Sequence, residues 1–264
     1  MILKAVLCGI VFGLFSSMAH SKSLAGSYLA GSNAAMRGDY VAASKYFANT
    51  LKLDPENNFI KYNAMLSTLS MGDVNTAIKY AKEITLNNNN HLADLLIFID
   101  YIKNERFVLA SNLLKKNKEN YTELLFGLLN GWTDLGRGKM SSVLKTFDEM
   151  DGNTTSKLLG QYHKALALAA VGDFENADKI LSGNVNGSLR LTRGSLIAHA
   201  QIMAELSKEE EALELIDKMA LKGQDNELDL LRQNIQNGKS SYDYITSAQQ
   251  GIAEVLFTLA FALN

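Results

Sequence analysis

Proline and cysteine are almost absent from this sequence of 264 residues, which contains one of each. The single proline, Pro55, excludes a Pro-rich linker and leaves long helical tracts uninterrupted. Cys8 lies near the N-terminus, so the remaining sequence offers no thiol for disulfides, thiolate catalysis or cysteine metal sites. The net charge is −2, and charges of both signs run through the whole length. We therefore expect no basic face for a nucleic-acid backbone.

The first residues have the pattern of a secretory signal, which we predict over residues 1–21. Lys4 supplies a positive start, and an apolar run follows from Ala5 to Phe15. Small residues then permit cleavage after Ala19 or after Ser21. The run is short for a membrane span, although an uncleaved N-terminal anchor is the alternative. We expect export to the periplasm of a Gram-negative bacterium, with no stable membrane span after the signal is removed.

A six-residue unit recurs along the chain. Its clear copies are Gly38-Asp39-Tyr40-Val41-Ala42-Ala43, Gly72-Asp73-Val74-Asn75-Thr76-Ala77 and Gly172-Asp173-Phe174-Glu175-Asn176-Ala177. Degenerate copies begin at Glu105, Gly138 and Ser207. The six starting positions are separated by 34, 33, 33, 34 and 35 residues, a period typical of helical repeat proteins.

Each unit predicts the junction of two antiparallel helices. Glycine accepts the left-handed backbone conformation that ends a helix, and the next helix starts at once. The small residue five positions later lets the second helix approach the first closely, while Phe47 and Phe147 fill the space between helices. Pro55 separates the first helix pair from the second.

The first copy resembles the tetratricopeptide-repeat consensus, which it matches at Gly31, Gly38, Tyr40, Ala43, Phe47 and Pro55. The resemblance implies an all-α, right-handed α-solenoid of antiparallel helix pairs with a concave groove, in about six repeats over residues 24–240. The segments around Tyr162 and Gly251 are also similar to exported alphaproteobacterial tetratricopeptide-repeat proteins.

Residues 241–264 are predicted to hold a C-terminal apolar helix, from about Tyr242 to Leu263. Its apolar stripe follows helical spacing. The stripe consists of Ile245, Ala248, Ile252, Val255, Leu256, Leu259 and Leu263. Three interpretations remain open: the helix packs back on the repeats, it forms a homodimer seam, or the chain is a shortened form of a longer solenoid.

The sequence contains few candidates for chemistry. The stretch Gly131–Gly138 lacks the lysine and following Ser/Thr of a phosphate loop, so we predict no nucleotide or other cofactor. His163 and His199 fall on the first helices of neighbouring repeats, where we expect packed or groove-lining side chains and no metal. A hydrolase would need two carboxylates in one pocket, and no pair is marked.

The resemblance places a partner in the groove, which the first helix of each repeat lines. The groove positions that it selects are Tyr28, Tyr62, Asn63, Trp132, Tyr162, His163 and Gln201, with the apolar Leu66, Leu95, Ile99, Leu128 and Leu166. These residues do not form the Lys-and-Asn clamp that holds a terminal carboxylate in one subfamily. A protein or peptide segment with apolar anchors suits this groove.

The sequence therefore predicts a non-enzymatic protein-binding scaffold of the cell envelope. The alternatives are a self-associating structural component, whose contact is the apolar C-terminal helix, and an envelope hydrolase with an unrecognised carboxylate pair. The alternatives for the groove itself are that about half of these positions are interhelix core, and that the C-terminal helix fills the groove.

Overall fold

The computed structural model describes residues 23–84, 90–150, 152, 154–183, 192–220 and 225–262. These residues form fourteen α-helices, one short 3-10 helix and no strand, which confirms the predicted all-α class. None of the helices in the described part of the chain combines the length and apolarity of a membrane span. The predicted signal peptide and Cys8 lie outside the described residues.

The chain divides into two compact units, which we call unit 1 (Met1–Ile97) and unit 2 (Phe98–Asn264). Unit 1 contains α1 (Leu24–Met36), α2 (Tyr40–Leu51), α3 (Asn58–Ser70), α4 (Val74–Glu83) and the start of α5 (His91–Lys103). Each of α1 to α3 packs on the next helix. The core between them contains Ala43, Phe47, Ile60 and Ala64, against which Tyr28 packs.

In its described residues, unit 2 contains the end of α5 and nine further α-helices. These are α6 (Phe107–Lys116), α7 (Glu123–Gly136), α8 (Met140–Asp148), α9 (Thr154–Ala170), α10 (Phe174–Gly183), α11 (Arg193–Glu205), α12 (Glu209–Ala220), α13 (Asn226–Gln236) and α14 (Ala248–Ala262). From α6 to α13 each helix packs on its neighbour in sequence, whereas α14 returns to pack on α7 and α9.

All six predicted repeat starts form the turn between two helices. The glycines at 38, 72, 138 and 172 have φ between 71° and 88°, and Glu105 and Ser207 both have φ of 56°. The left-handed conformation therefore belongs to the repeat and persists where glycine is replaced. Asp39 is then the N-cap of α2, because its Oδ1 accepts a hydrogen bond from the Ala42 N–H at 2.9 Å.

The small residue of each unit allows the close approach that the sequence predicts. All six of these side chains are fully buried: Ala43, Ala77, Ala110, Val143, Ala177 and Ala212. The predicted aromatic fillers Phe47 and Phe147 are also buried. A methyl group added at Gly31 would lie 3.0 Å from the Phe47 ring, and one at Gly131 would overlap Phe147. A methyl group at Gly136 would likewise overlap Phe107, so Gly131 and Gly136 both serve helix packing.

The C-terminal helix begins later than predicted. Residues 239–247 form no helix, and α14 starts at Ala248. Ser247 caps it, since its Oγ accepts a hydrogen bond from the Gln250 N–H at 3.2 Å, while the Gln250 side chain accepts one from the Thr246 N–H at 2.7 Å. The arrangement is similar to a capping box of the Ser-x-x-Gln type, except that the glutamine reaches Thr246, one residue before the cap, and it fixes the start of α14 at Ala248.

Candidate functional site

The predicted groove residues fall on one side of the first helix of each pair, which we call the groove face. Tyr28, Tyr62 and Tyr162 stand at the same distance before their turn glycines, Gly38, Gly72 and Gly172. Leu29, Asn63 and His163 occupy the next position along. Equivalent positions in successive repeats share one helix face, so these side chains are counterparts.

The structure buries the predicted groove residues to different degrees in the two units. Tyr28, Tyr62 and Asn63 of unit 1 are half-buried. The four residues of unit 2 are buried, and these are Trp132, Tyr162, His163 and Gln201. Three of those four contact residues 239–262, which we call the tail. Their role in binding a separate partner remains a prediction.

Gln201 on α11 holds the non-helical part of the tail. Its Oε1 accepts hydrogen bonds from the backbone N–H groups of Asp243 and Tyr244, each at 3.2 Å, and its Nε2 donates to Asp243 Oδ1 at 2.6 Å. One turn further along, Glu205 accepts a hydrogen bond from the Tyr242 N–H at 2.8 Å. The groove face of α11 thus binds the main chain of a passing segment.

Two tyrosines meet at the carboxylate of Glu254 on α14. The hydroxyl of Tyr162 donates to Oε1 at 3.0 Å, and that of Tyr244 donates to Oε2 at 3.2 Å. Burial, together with the Glu254 charge, raises the pKa of Tyr162 well above its usual value and that of Tyr244 to about 12. Both hydroxyls therefore remain protonated donors at neutral pH, and a charged acceptor strengthens their bonds.

Trp132 is the centre of the contact between α7 and the tail helix. Its indole N–H donates to His163 Nδ1 at 3.0 Å, and its ring packs edge-on against Phe147, with centroids 6.3 Å apart. Gly251 of α14 lies on the ring so closely that an added methyl group would overlap it. Burial lowers the pKa of His163 to about 3, so the ring is neutral and its remaining proton is on Nε2.

In unit 1 the groove face leaves apolar side chains exposed. Tyr28 lies between Phe47 and Phe59, with ring centroids 6.0 Å from each. Phe59 is nevertheless 61% exposed, and Leu29 is 64% exposed. Asn63 is held by a 2.8 Å hydrogen bond from its Nδ2 to the Phe59 carbonyl. The face combines apolar surface with tyrosine hydroxyl groups.

Comparison with solved structures identifies the architecture. A tetratricopeptide repeat protein from Parabacteroides merdae ATCC 43184 aligns over 89% of this chain and 100% of its own, with a TM-score of 0.63 and 13% identity. This chain has the tetratricopeptide-repeat fold. The Cut9–Hcn1 hetero-tetramer of APC/C aligns over 82% of this chain and 44% of its own, with a TM-score of 0.49 and 14% identity. No protein-family model and no curated protein matches the sequence.

The tetratricopeptide repeats of unit 2 also contain a buried polar cluster at His199. Its Nε2 lies 2.8 Å from Asp178 Oδ1 and 3.4 Å from Ser182 Oγ, while Lys208 donates to Asp178 Oδ2 at 2.6 Å. Burial alone raises the pKa of Asp178, but hydrogen bonds from Lys208, His199 and Ser182 outweigh it and lower the pKa.

The His199 cluster lacks the geometry of a nucleophilic triad. The serine and the carboxylate share one imidazole nitrogen, whereas a triad places them on opposite nitrogens. In the described residues, no three histidine, cysteine or carboxylate side chains are grouped so as to hold a metal ion. We interpret the cluster as a polar joint between α10, α11 and the start of α12.

Sequence reasoning missed the residues of the tail that contact the groove face. Two local signals were available. The Ser-x-x-Gln pattern from Ser247 to Gln250 marks the start of α14, and Gly251, isolated within an apolar helix, is typical of a close packing contact. The pairs Gln201–Asp243 and Tyr162–Glu254 carry no local signal, because their members are 42 and 92 residues apart.

Proposed function

We propose that this protein is a non-enzymatic protein-binding scaffold that holds a partner segment on the groove face of unit 1. The observation that carries the proposal is the contrast between the two units. In unit 2 the groove face binds a segment of the chain itself, through Gln201, Tyr162 and Trp132. In unit 1 the counterpart face exposes Leu29 and Phe59. Exposed apolar surface beside ordered polar groups is typical of a binding surface.

The chemistry of the unit 1 face defines the partner. Leu29 and Phe59 offer apolar contact area, so the segment carries at least one apolar or aromatic anchor. Tyr62 occupies the position at which Tyr162 donates to a carboxylate in unit 2. An acidic side chain near the anchor therefore fits as well. An extended or helical segment can present both groups along one face.

We place this activity in the bacterial envelope, in the periplasm of a Gram-negative organism. Support comes from the sequence, in which a lysine, an apolar run and small residues precede the first helix. The absence of cysteine after residue 8 agrees with a chain whose stability in an oxidising compartment comes from helix packing alone.

A self-associating component is the alternative function, and one observation favours it. Phe257, on the outer side of α14, is 67% exposed. A large exposed aromatic side chain on an apolar helix suits a contact with a second copy. Sedimentation velocity over a hundredfold concentration range tests this. Dimers that Phe257→Asp dissolves support self-association, and a monomer throughout refutes it.

The test of the scaffold is affinity capture from an envelope extract, followed by mass spectrometry. Leu29→Asp and Phe59→Asp place charge on the groove face of unit 1. Val41→Asp is the matched control, because Val41 is 50% exposed on α2, which is not a groove helix. We expect one protein to be captured by the wild type and the control and lost by both groove variants. Equal capture by all four chains would refute binding at this face.

A further inference from the structure

The tail binds unit 2 in the manner of a ligand. Its contacts on α11 come from Gly194, Gln201 and Glu205, which lie on one side of the helix because they are seven and four residues apart. Gly194 stands at the same distance before its turn as the exposed Phe59 does in unit 1. The tail therefore occupies groove positions and does not extend the stack of helix pairs.

We propose that the groove face of unit 2 is a peptide-binding site, occupied in cis by the tail, which a partner segment of the same chemistry displaces. That segment has an extended acidic-aromatic stretch followed by a helix with a small residue and, three positions later, a glutamate. This site lies in unit 2 alone and does not depend on whether unit 1 binds a partner.

The extended stretch is recognised mainly through its main chain. Gln201 accepts hydrogen bonds from two backbone N–H groups and donates one to the carboxylate of Asp243. Glu205 accepts a hydrogen bond from the preceding backbone N–H, that of Tyr242. Phe174 adds a ring contact to Tyr242, with centroids 5.6 Å apart. Hydrogen bonds to the main chain are compatible with many sequences, so the acidic residue that binds the Gln201 side chain supplies the selectivity.

The helical part is recognised by shape and charge. Trp132 leaves no room for a side chain at Gly251, so the helix must carry a small residue there. One turn later Glu254 meets the Tyr162 hydroxyl, and Thr258 donates to the same carboxylate at 3.4 Å. A carboxylate that accepts several hydroxyl donors is well satisfied, whereas glutamine in its place would turn an N–H group toward a donor.

The tail can leave without unfolding the helix pairs. Residues 239–241, which form no helix, join α13 to the bound part of the tail that starts at Tyr242, and the partners of the tail on α7, α9 and α11 keep their own neighbours α8, α10 and α12. The contacts are partly polar, as in interfaces that form and dissociate. Release therefore exposes a preformed site, and a competing segment needs only to exceed the affinity of the tail in cis.

The test uses the full chain and a labelled peptide with the sequence of residues 239–262. In the wild type the tail occupies the site, so we expect weak binding by fluorescence anisotropy. Gly251→Leu displaces the tail from Trp132 but leaves the groove face intact, and we expect it to bind the peptide at least tenfold more tightly. Adding Gln201→Ala to that variant should abolish the gain. Equal binding by the wild type and Gly251→Leu overturns the proposal.

Hydrogen exchange of the wild type gives a second measurement that needs no variant to fold. We expect the amides of α14 to exchange through an opening of their own, faster than the amides of α7 and α9. Added peptide should speed the exchange of α14 further. Equal protection of α14 and α7 identifies α14 as a permanent part of the core and overturns the proposal.

Discussion

Replacing Gly251 with alanine measures how tightly α14 is held against Trp132. Inside a helix the change alone would stabilise the protein by about 1 kcal/mol, because alanine has the higher helix propensity. Here the added methyl group overlaps an indole ring that cannot turn away, since it is bonded to His163 at 3.0 Å and packed on Phe147. Overpacking of a rigid site costs about 1–3 kcal/mol. Taking the upper value, we expect a net loss of about 2 kcal/mol.

The assay is urea unfolding followed by the fluorescence of Trp132, the only tryptophan in the chain. Ala253→Gly is the matched control, because Ala253 is exposed on the same helix and its change reports the propensity effect alone. We expect the control to lose about 1 kcal/mol. If Gly251→Ala were as stable as the wild type or more stable, α14 would not pack on Trp132 in solution and the reasoning would be refuted.

Two further predictions concern the turns and pH. Ser207→Gly should stabilise the protein by about 1 kcal/mol in thermal unfolding, because Ser207 is exposed and has a φ of 56°. Gly38→Ala, the reverse change at an equivalent turn, should destabilise the protein by a similar amount. A loss of stability in Ser207→Gly would contradict this prediction. Burial lowers the pKa of His163 to about 3, so the unfolded chain binds a proton below pH 6.5 that the folded chain does not. Stability is therefore fully present above pH 6.5, and this histidine removes about 2 kcal/mol of it by pH 5. His163→Gln should show a correspondingly smaller loss between pH 7 and 5, and an unchanged loss would contradict the assignment.

The helix pairs could be predicted from the sequence because their signals are local. The turn needs a residue that tolerates a left-handed backbone, and the next helix needs a cap and a small side chain, all within six positions. The period also located Glu105 and Ser207, which have the conformation without the glycine. Tertiary packing overrides the cost of a side chain at these two positions. The spacing of the repeats therefore predicts the position of the turn better than the residue type does.

The groove could not be predicted to the same depth, because an apolar stripe indicates that a face is covered without indicating what covers it. On α9 the same period selects Tyr162 and His163, yet one donates to the tail and the other packs beneath Trp132. That difference depends on Gly251 and Glu254, which lie far away in sequence and belong to no repeat. A repeat fold presents the same kind of helix face in each repeat. The segment that binds this face in unit 2 is the one that carries a small residue and a carboxylate at the required spacing. Because the tail brings both, a partner of the groove face of unit 2 must compete with it.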